Sequence, residues 1–209
     1  MLLLASFQTL LHSYTRQEDI VIGTAAANRH VPGVEQLIGF FVNTLAVRTD
    51  LGGQPSFRQL LQRVREVTLD AQEHQDLPYE TLVEELRHER KTEDLTLFRA
   101  YFNLLNFEDQ LRLPGLETSY VAMETVPTKF DLQLSVTDTA RELTGLLGYN
   151  SALFSASQIE TLGRQFMTVI ENVIADPERK IAAVLPSSKE QQAQIINDFN
   201  DEFEISIGV

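Results

Sequence analysis

Apolar residues return every three or four positions at the start of the chain. Leu2, Leu3, Phe7, Leu10 and Leu11 share this spacing, with Gln8 and His12 between them, which predicts an amphipathic helix over 1–14. Residues 19–27 (DIVIGTAAA) read as a buried strand, followed by a loop over 28–36 holding Pro32 and Gly33. Residues 40–49 form a second β-rich run. Gly52, Gly53 and Pro55 mark a turn, and Ser56 stands three residues before Gln59, the spacing of a capping box. Phe57, Leu60, Leu61, Val64, Val67 and Ala71 then trace one face of a helix running to Glu73. Pro78 suits the first turn of a short helix ending at Leu86, and the charged stretch 87–94 reads as a solvated loop.

The second half turns to strands. Residues 98–105 are apolar and aromatic, 113–116 hold a Pro-Gly turn, and 118–126 alternate weakly. Phe130, Leu132, Leu134 and Val136 alternate with Asp131, Gln133, Ser135 and Thr137, the pattern of a half-buried antiparallel strand. Phe130 belongs to the core on this reading, and Lys129 and Asp131 to a cross-strand charge arrangement. Residues 143–149 can return beside that strand as a hairpin. Ser155 and Gln158 repeat the capping-box spacing, and Ile159, Leu162, Phe166, Val169 and Val173 form the apolar face of a helix that stops before Asp176 and Pro177. Beyond Pro186 the chain is polar, a linker helix or tail. Strands interleaved with long amphipathic helices predict an α/β two-layer sandwich, a mixed, mostly antiparallel sheet covered by helices.

Composition narrows the chemistry. The length of 209 residues fits one domain or two small ones, and a hydrophobic share of 43% is ordinary for a globular chain, against wholesale disorder. There is no cysteine, which removes disulfides, thiolate nucleophiles and Cys-ligated metal sites and suits a reducing cytoplasm. A net charge of −13 repels phosphate backbones, so no nucleic-acid partner is expected. No stretch approaches the ~18 consecutive apolar residues of a membrane span, and the apolar start lacks the basic region and cleavage site of a secretory signal.

Four histidines are available: His12, His30, His74 and His88. Acyltransferases of the chloramphenicol acetyltransferase type use a His as general base, with an Asp four residues on. Here those positions hold Arg16, Val34, Pro78 and Thr92. No two His are adjacent, and no HExxH, GxSxG, Walker or GxGxxG motif occurs. The expectation is therefore no catalytic and no metal-ligating residue within this chain.

Seven segments nevertheless fall in a telling order: LLHSYTRQEDIVIGT at 10–24, the Asn28-Arg29 loop, LIGFFVNTLAVR at 37–48, HQDLPYETLV at 74–83, FRAYFNLLNF at 98–107, KFDLQLSV at 129–136 and GLLGYNSALF at 145–154. Together they resemble the C-terminal half of the condensation domains of non-ribosomal peptide synthetases. The resemblance implies a chloramphenicol acetyltransferase-like subdomain over 1–186 and a linker or tail over 187–209 leading toward an adenylation domain. Such a helix at the very start of a chain looks like the middle of a domain. The implied partners are an N-terminal subdomain carrying the family's double-His motif and the aminoacyl and peptidyl carrier proteins. Their phosphopantetheine arms meet in a tunnel, where the acceptor amine attacks the donor thioester, and no cofactor is bound directly. The catalytic histidines have no counterpart here. The alternative is a non-catalytic remnant or a module that only contacts a carrier protein. A small acyltransferase completed by oligomerisation is a third reading, and it too lacks the His and the Asp.

The resemblance also nominates residues. Asn43 and Arg48 match the polar positions of LIGFFVNTLAVR, with Arg48 either in a cleft-facing or buried charge network or at a strand end reaching solvent. His74, Gln75, Asp76 and Glu80 match the HQDxPxE pattern. They either line the cleft or a carrier-protein surface, or serve a helix-to-helix junction by satisfying free helix-end groups, the reading favoured here. Asn28, Arg29 and His30 sit on a loop that is either the tunnel floor or an ordinary surface turn. Tyr79 stands where the family usually has Phe.

Overall fold

A computed structural model describes residues 1–90, 96–106, 115–116, 128–138 and 142–185. In chain order the elements are α1 (Leu2–Thr15), β1 (Asp19–Ala26), β2 (Asn43–Asp50), α2 (Phe57–Glu73), α3 (Tyr79–Arg90), β3 (Ala100–Asn106), β4 (Leu132–Asp138), β5 (Leu143–Tyr149) and α4 (Ala156–Ala175). Short 3-10 turns at Val34–Gln36 and Ile181–Ala183 complete them. The weakly alternating run 118–126, the first half of the Pro-Gly turn and the tail beyond Leu185 lie outside the described residues.

The five strands form one sheet in the order β2-β1-β3-β4-β5. Antiparallel ladders at both margins, β1 with β2 and β4 with β5, flank two parallel ladders through β3. This is the expected mixed sheet, with the 143–149 hairpin in place. Register decides which side chains share a face, because neighbours in a strand point to opposite sides. Ile20 and Ile22, Leu45 and Val47, Phe102, and Leu132, Leu134 and Val136 are buried on one face. Leu4, Phe7 and Leu10 of α1, Phe57, Leu60 and Val64 of α2, and the five predicted apolar residues of α4 pack there. Covering one face with helices makes the molecule a two-layer α/β sandwich.

Both capping boxes form. Ser56 and Ser155 each accept the backbone N–H of the residue three positions on, while Gln59 and Gln158 reach back to the N-cap amide. Among the helices, two expectations needed correction. α1 is not simply amphipathic: Ser6, Gln8 and Thr9 are as buried as Phe7. It is flanked by α2 and α4, so its polar residues need internal partners; Gln8 donates to Thr49 Oγ1 at 2.9 Å and Thr9 to Ala5 O at 2.8 Å. And α3 runs to Arg90, so residues 87–90 are helical rather than loop.

Candidate functional site

The other face of the sheet is built differently. Across it run Ala46, Gly23, Tyr101, Gln133 and Gly148, in direct register from β2 to β5. The ring of Phe98 lies over Gly23 so closely that a Cβ at that glycine would stand 2.1 Å from it. Phe98 approaches Tyr79 at 5.4 Å, Phe130 at 5.7 Å and Tyr101 at 6.3 Å between ring centroids. Tyr101 and Phe130 stack in parallel at 4.3 Å. Phe130 is thus not in the helix-covered core. The chain bends before β4 begins and carries the ring to the opposite face, where Tyr101 receives it. Burial pushes the hydroxyl pKa of both Tyr79 and Tyr101 up. Asp131 pairs with Arg99 at the start of β3 rather than taking part in an arrangement with Lys129. Beside these rings opens a cavity of about 300 Å³, lined by Thr44, Tyr79, Phe98, Arg99, Lys129 and Phe130 among others.

Asn43 joins two of the signature segments. Its side-chain amide donates to Gln75 O at 2.8 Å and Leu77 O at 2.7 Å. Its carbonyl oxygen accepts from the backbone N–H of Thr44 and of Tyr79, the first residue of α3. One side chain therefore satisfies carbonyls of the α2–α3 junction and an unpaired amide at the start of α3. Gln75 contributes through its backbone. Asp76 faces His30 from the β1–β2 loop at 3.5 Å. His74 is exposed, its ring against Asp70 O; that hydrogen bond first, then the Asp70 charge, raises its pKa. Glu80 is exposed in the first turn of α3. Residues 74–77 thus sit at the helix-to-helix junction, and an open pocket of about 360 Å³ lies there among His30, Leu69, Gln72, Glu73, Gln75 and Asp76.

Arg48 occupies neither a buried network nor this junction. It points out from β2 and pairs with Asp19 through Nε–Oδ1 at 2.9 Å and Nη2–Oδ2 at 2.6 Å, with both side chains more than half exposed. It finds the carboxylate it requires, on an open strand surface.

The β1–β2 loop holds the nominated Asn28 and Arg29, and beside them exposed apolar residues that pattern reading missed. Asn28 turns it in the left-handed region at φ 51°. Arg29 gathers three carbonyls of the loop, and its guanidinium lies over Phe41. Val31, Leu37, Ile38, Phe40 and Val42 all face solvent, with Ile38 fully exposed and Phe40 at 93%. The sequence carried a signal for this: seven large apolar residues between positions 31 and 42, in a stretch broken by Pro32, Gly33 and Gly39.

His12, His30, His74 and His88 lie on four separate segments, and among the described residues no three His, Asp or Glu side chains converge as a metal site. No helix among them is long and apolar enough to cross a membrane.

Known proteins resemble the chain in sequence and fold. A family model described as "Condensation domain" matches residues 1–196. The chain is 42% identical over 199 residues to a linear gramicidin synthase of Brevibacillus parabrevis, covering 94% of the chain and 4% of that protein. It is 39% identical over 200 residues to chondramide synthase cmdD of Chondromyces crocatus, covering 95% and 5%. Among solved structures, the X-domain from teicoplanin biosynthesis superposes with a TM-score of 0.74 at 26% identity, over 89% of this chain and 43% of that one. A four-domain nonribosomal peptide synthetase superposes with a TM-score of 0.72 at 25% identity, over 90% and 16%. The chain therefore spans a small fraction of the synthetases it matches and less than half of a solved X-domain chain. With the motif residues of five segments meeting in one aromatic cluster and one asparagine joint, and with matches along nearly its whole length, the chain belongs to the condensation-domain family of non-ribosomal peptide synthetases.

Proposed function

We propose that this chain is the C-terminal portion of a condensation domain, and that it shapes the tunnel in which an acceptor aminoacyl group on one carrier protein attacks the donor thioester on another. In that step the acceptor nitrogen bonds to the donor carbonyl carbon, the C–S bond breaks and the donor thiol leaves. The proton lost by the amine passes, by way of a base outside this chain in the family's N-terminal subdomain, to the departing sulfur, which leaves as the thiol. The phosphopantetheine arms belong to the carrier proteins. Residues 1–186 form the subdomain on this reading, and 187–209 lead toward an adenylation domain.

The observation that carries the reading is the loop between β1 and β2. An isolated soluble surface rarely presents so many contiguous large apolar side chains, and a patch of this kind marks a surface meant to be covered. It adjoins the junction formed by Asn43, Gln75 and Asp76, so one end of the sheet combines an apolar contact region with the polar residues of two signature segments. The second reading is a remnant or carrier-binding module without catalysis of its own; this chain has no His–Asp pair at the family spacing, as both readings require.

Co-expression of the chain with the segment encoded directly upstream distinguishes the two. Co-purification of the pair, and amide formation between donor-loaded and acceptor-loaded carrier proteins only when both are present, is the expected result. An upstream segment without two adjacent His followed by three residues and Asp-Gly, or one that neither binds nor restores amide formation, overturns the tunnel reading.

A further inference from the structure

We propose that Arg29 is a positioning residue whose guanidinium holds the β1–β2 loop in one shape and thereby sets where Ile38 and Phe40 project. Its consequence for amide formation rests on the tunnel reading above; its effect on the loop does not.

The loop needs such a device. It leaves β1 after Ala26 and rejoins the sheet at Asn43, with the three-residue turn Val34–Gln36 as its one regular piece. A loop normally keeps its shape by packing its own apolar side chains inward. Here Val31, Leu37, Ile38, Phe40 and Val42 point outward instead. Arg29 replaces the missing interior. Its Nη1 donates to Val34 O at 2.7 Å and to Leu37 O at 2.8 Å, and its Nη2 to Gly39 O at 3.3 Å. The same guanidinium carbon lies 4.4 Å from the centre of the Phe41 ring. Four points spread from Val34 to Phe41 are thus tied to one planar group rooted beside β1.

This use of the group is particular to arginine. The guanidinium offers five donors in a fixed plane and stacks on an aromatic face, whereas a lysine ammonium is a point charge with neither the span nor the flat surface. Asn28 supports it from behind: its left-handed backbone turns the chain as it leaves β1, directly before Arg29. A loop already in its bound shape loses little freedom on association, so its partner surface is engaged without first ordering it. Arg29 therefore touches neither carrier arm nor reacting atoms in this account; it acts through the loop.

The test uses Arg29→Ala and Arg29→Lys in the synthetase that contains this chain, with amide hydrogen exchange and amide formation read on the same proteins. Both variants should speed exchange across residues 34–41 by on the order of tenfold, while β4 keeps its protection. Amide formation should fall by roughly ten- to a hundredfold through kcat. Added guanidinium ion at low concentration should restore part of both in Arg29→Ala and nothing in Arg29→Lys. Unchanged loop exchange in both variants overturns the proposal, as does full recovery with lysine. Lost amide formation with a loop as protected as before overturns it too, because Arg29 would then act on substrate directly. A loosened loop with undiminished amide formation upholds the positioning role and instead sinks the tunnel reading of this surface.

Discussion

Asn43 shows how much one side chain can carry here. It closes two carbonyls and one helix-start amide with a single planar amide, a combination that needs both a donor and an acceptor. Asn43→Asp keeps the acceptor but sets a carboxylate against Gln75 O and Leu77 O. We expect Asn43→Asp to lose about 1–3 kcal/mol in urea unfolding, at least as much as Asn43→Ala, since the lost bonds leave groups unpaired. Equal stability of wild type and Asn43→Asp would show that the joint is not made. Arg48 is the contrasting case. Its hydrogen bond to Asp19, ahead of their charge attraction, holds the Asp19 carboxyl below its ordinary range. A depressed carboxylate contributes stability that is present above its unfolded pKa and lost as pH falls through the folded one. The pair is exposed, so its share is small. In Arg48→Gln the Asp19 midpoint, followed by NMR of the carboxyl carbon, should rise toward the ordinary carboxylate value; an unmoved midpoint contradicts the pairing.

Among elements, β1 shows the closest fit. Gly23 sits in mid-strand, where glycine usually weakens a sheet. The Phe98 ring needs that space, and Phe98 in turn is held by Tyr79, Tyr101 and Phe130. Gly23→Ala is therefore an overpacking change, and we expect it to cost about 1–3 kcal/mol, with part regained when Phe98 is shortened to leucine. Additive losses in the double variant would mean that the two positions do not touch. The helices were more legible than the aromatic cluster. Capping boxes and 3.6-residue periods are local, so α2 and α4 begin and end where their sequences indicate. α1 misled because its period describes one face, while its position between α2 and α4 buries Ser6, Gln8 and Thr9 as well. α3 outran its expected end because Arg87, Glu89 and Arg90, read as loop for their charge, are also good helix formers.

On the scale of the whole molecule, the helix-covered face holds the core and the β1–β2 loop exposes apolar side chains. An isolated chain that exposes Ile38 and Phe40 should self-associate with rising concentration. Replacing both with glutamate should yield a monomer in sedimentation equilibrium, with unchanged melting, and should abolish co-purification with the upstream segment. If the wild-type chain is itself monomeric at high concentration, the loop is not an unmet contact surface. The amino-acid sequence by itself determined the family, the two-layer class, the strand and helix order and the two capped helices, because each rests on local period or on motifs read in line. Only the tertiary structure decided what the motif residues do. Asn43 meets Gln75 and Leu77 more than thirty residues away, and Phe98 lies on Gly23. Arg48 turns to Asp19 at the surface, while Arg29 gathers its own loop. These pairings depend on sheet register and on which face each strand presents, and a linear pattern carries neither.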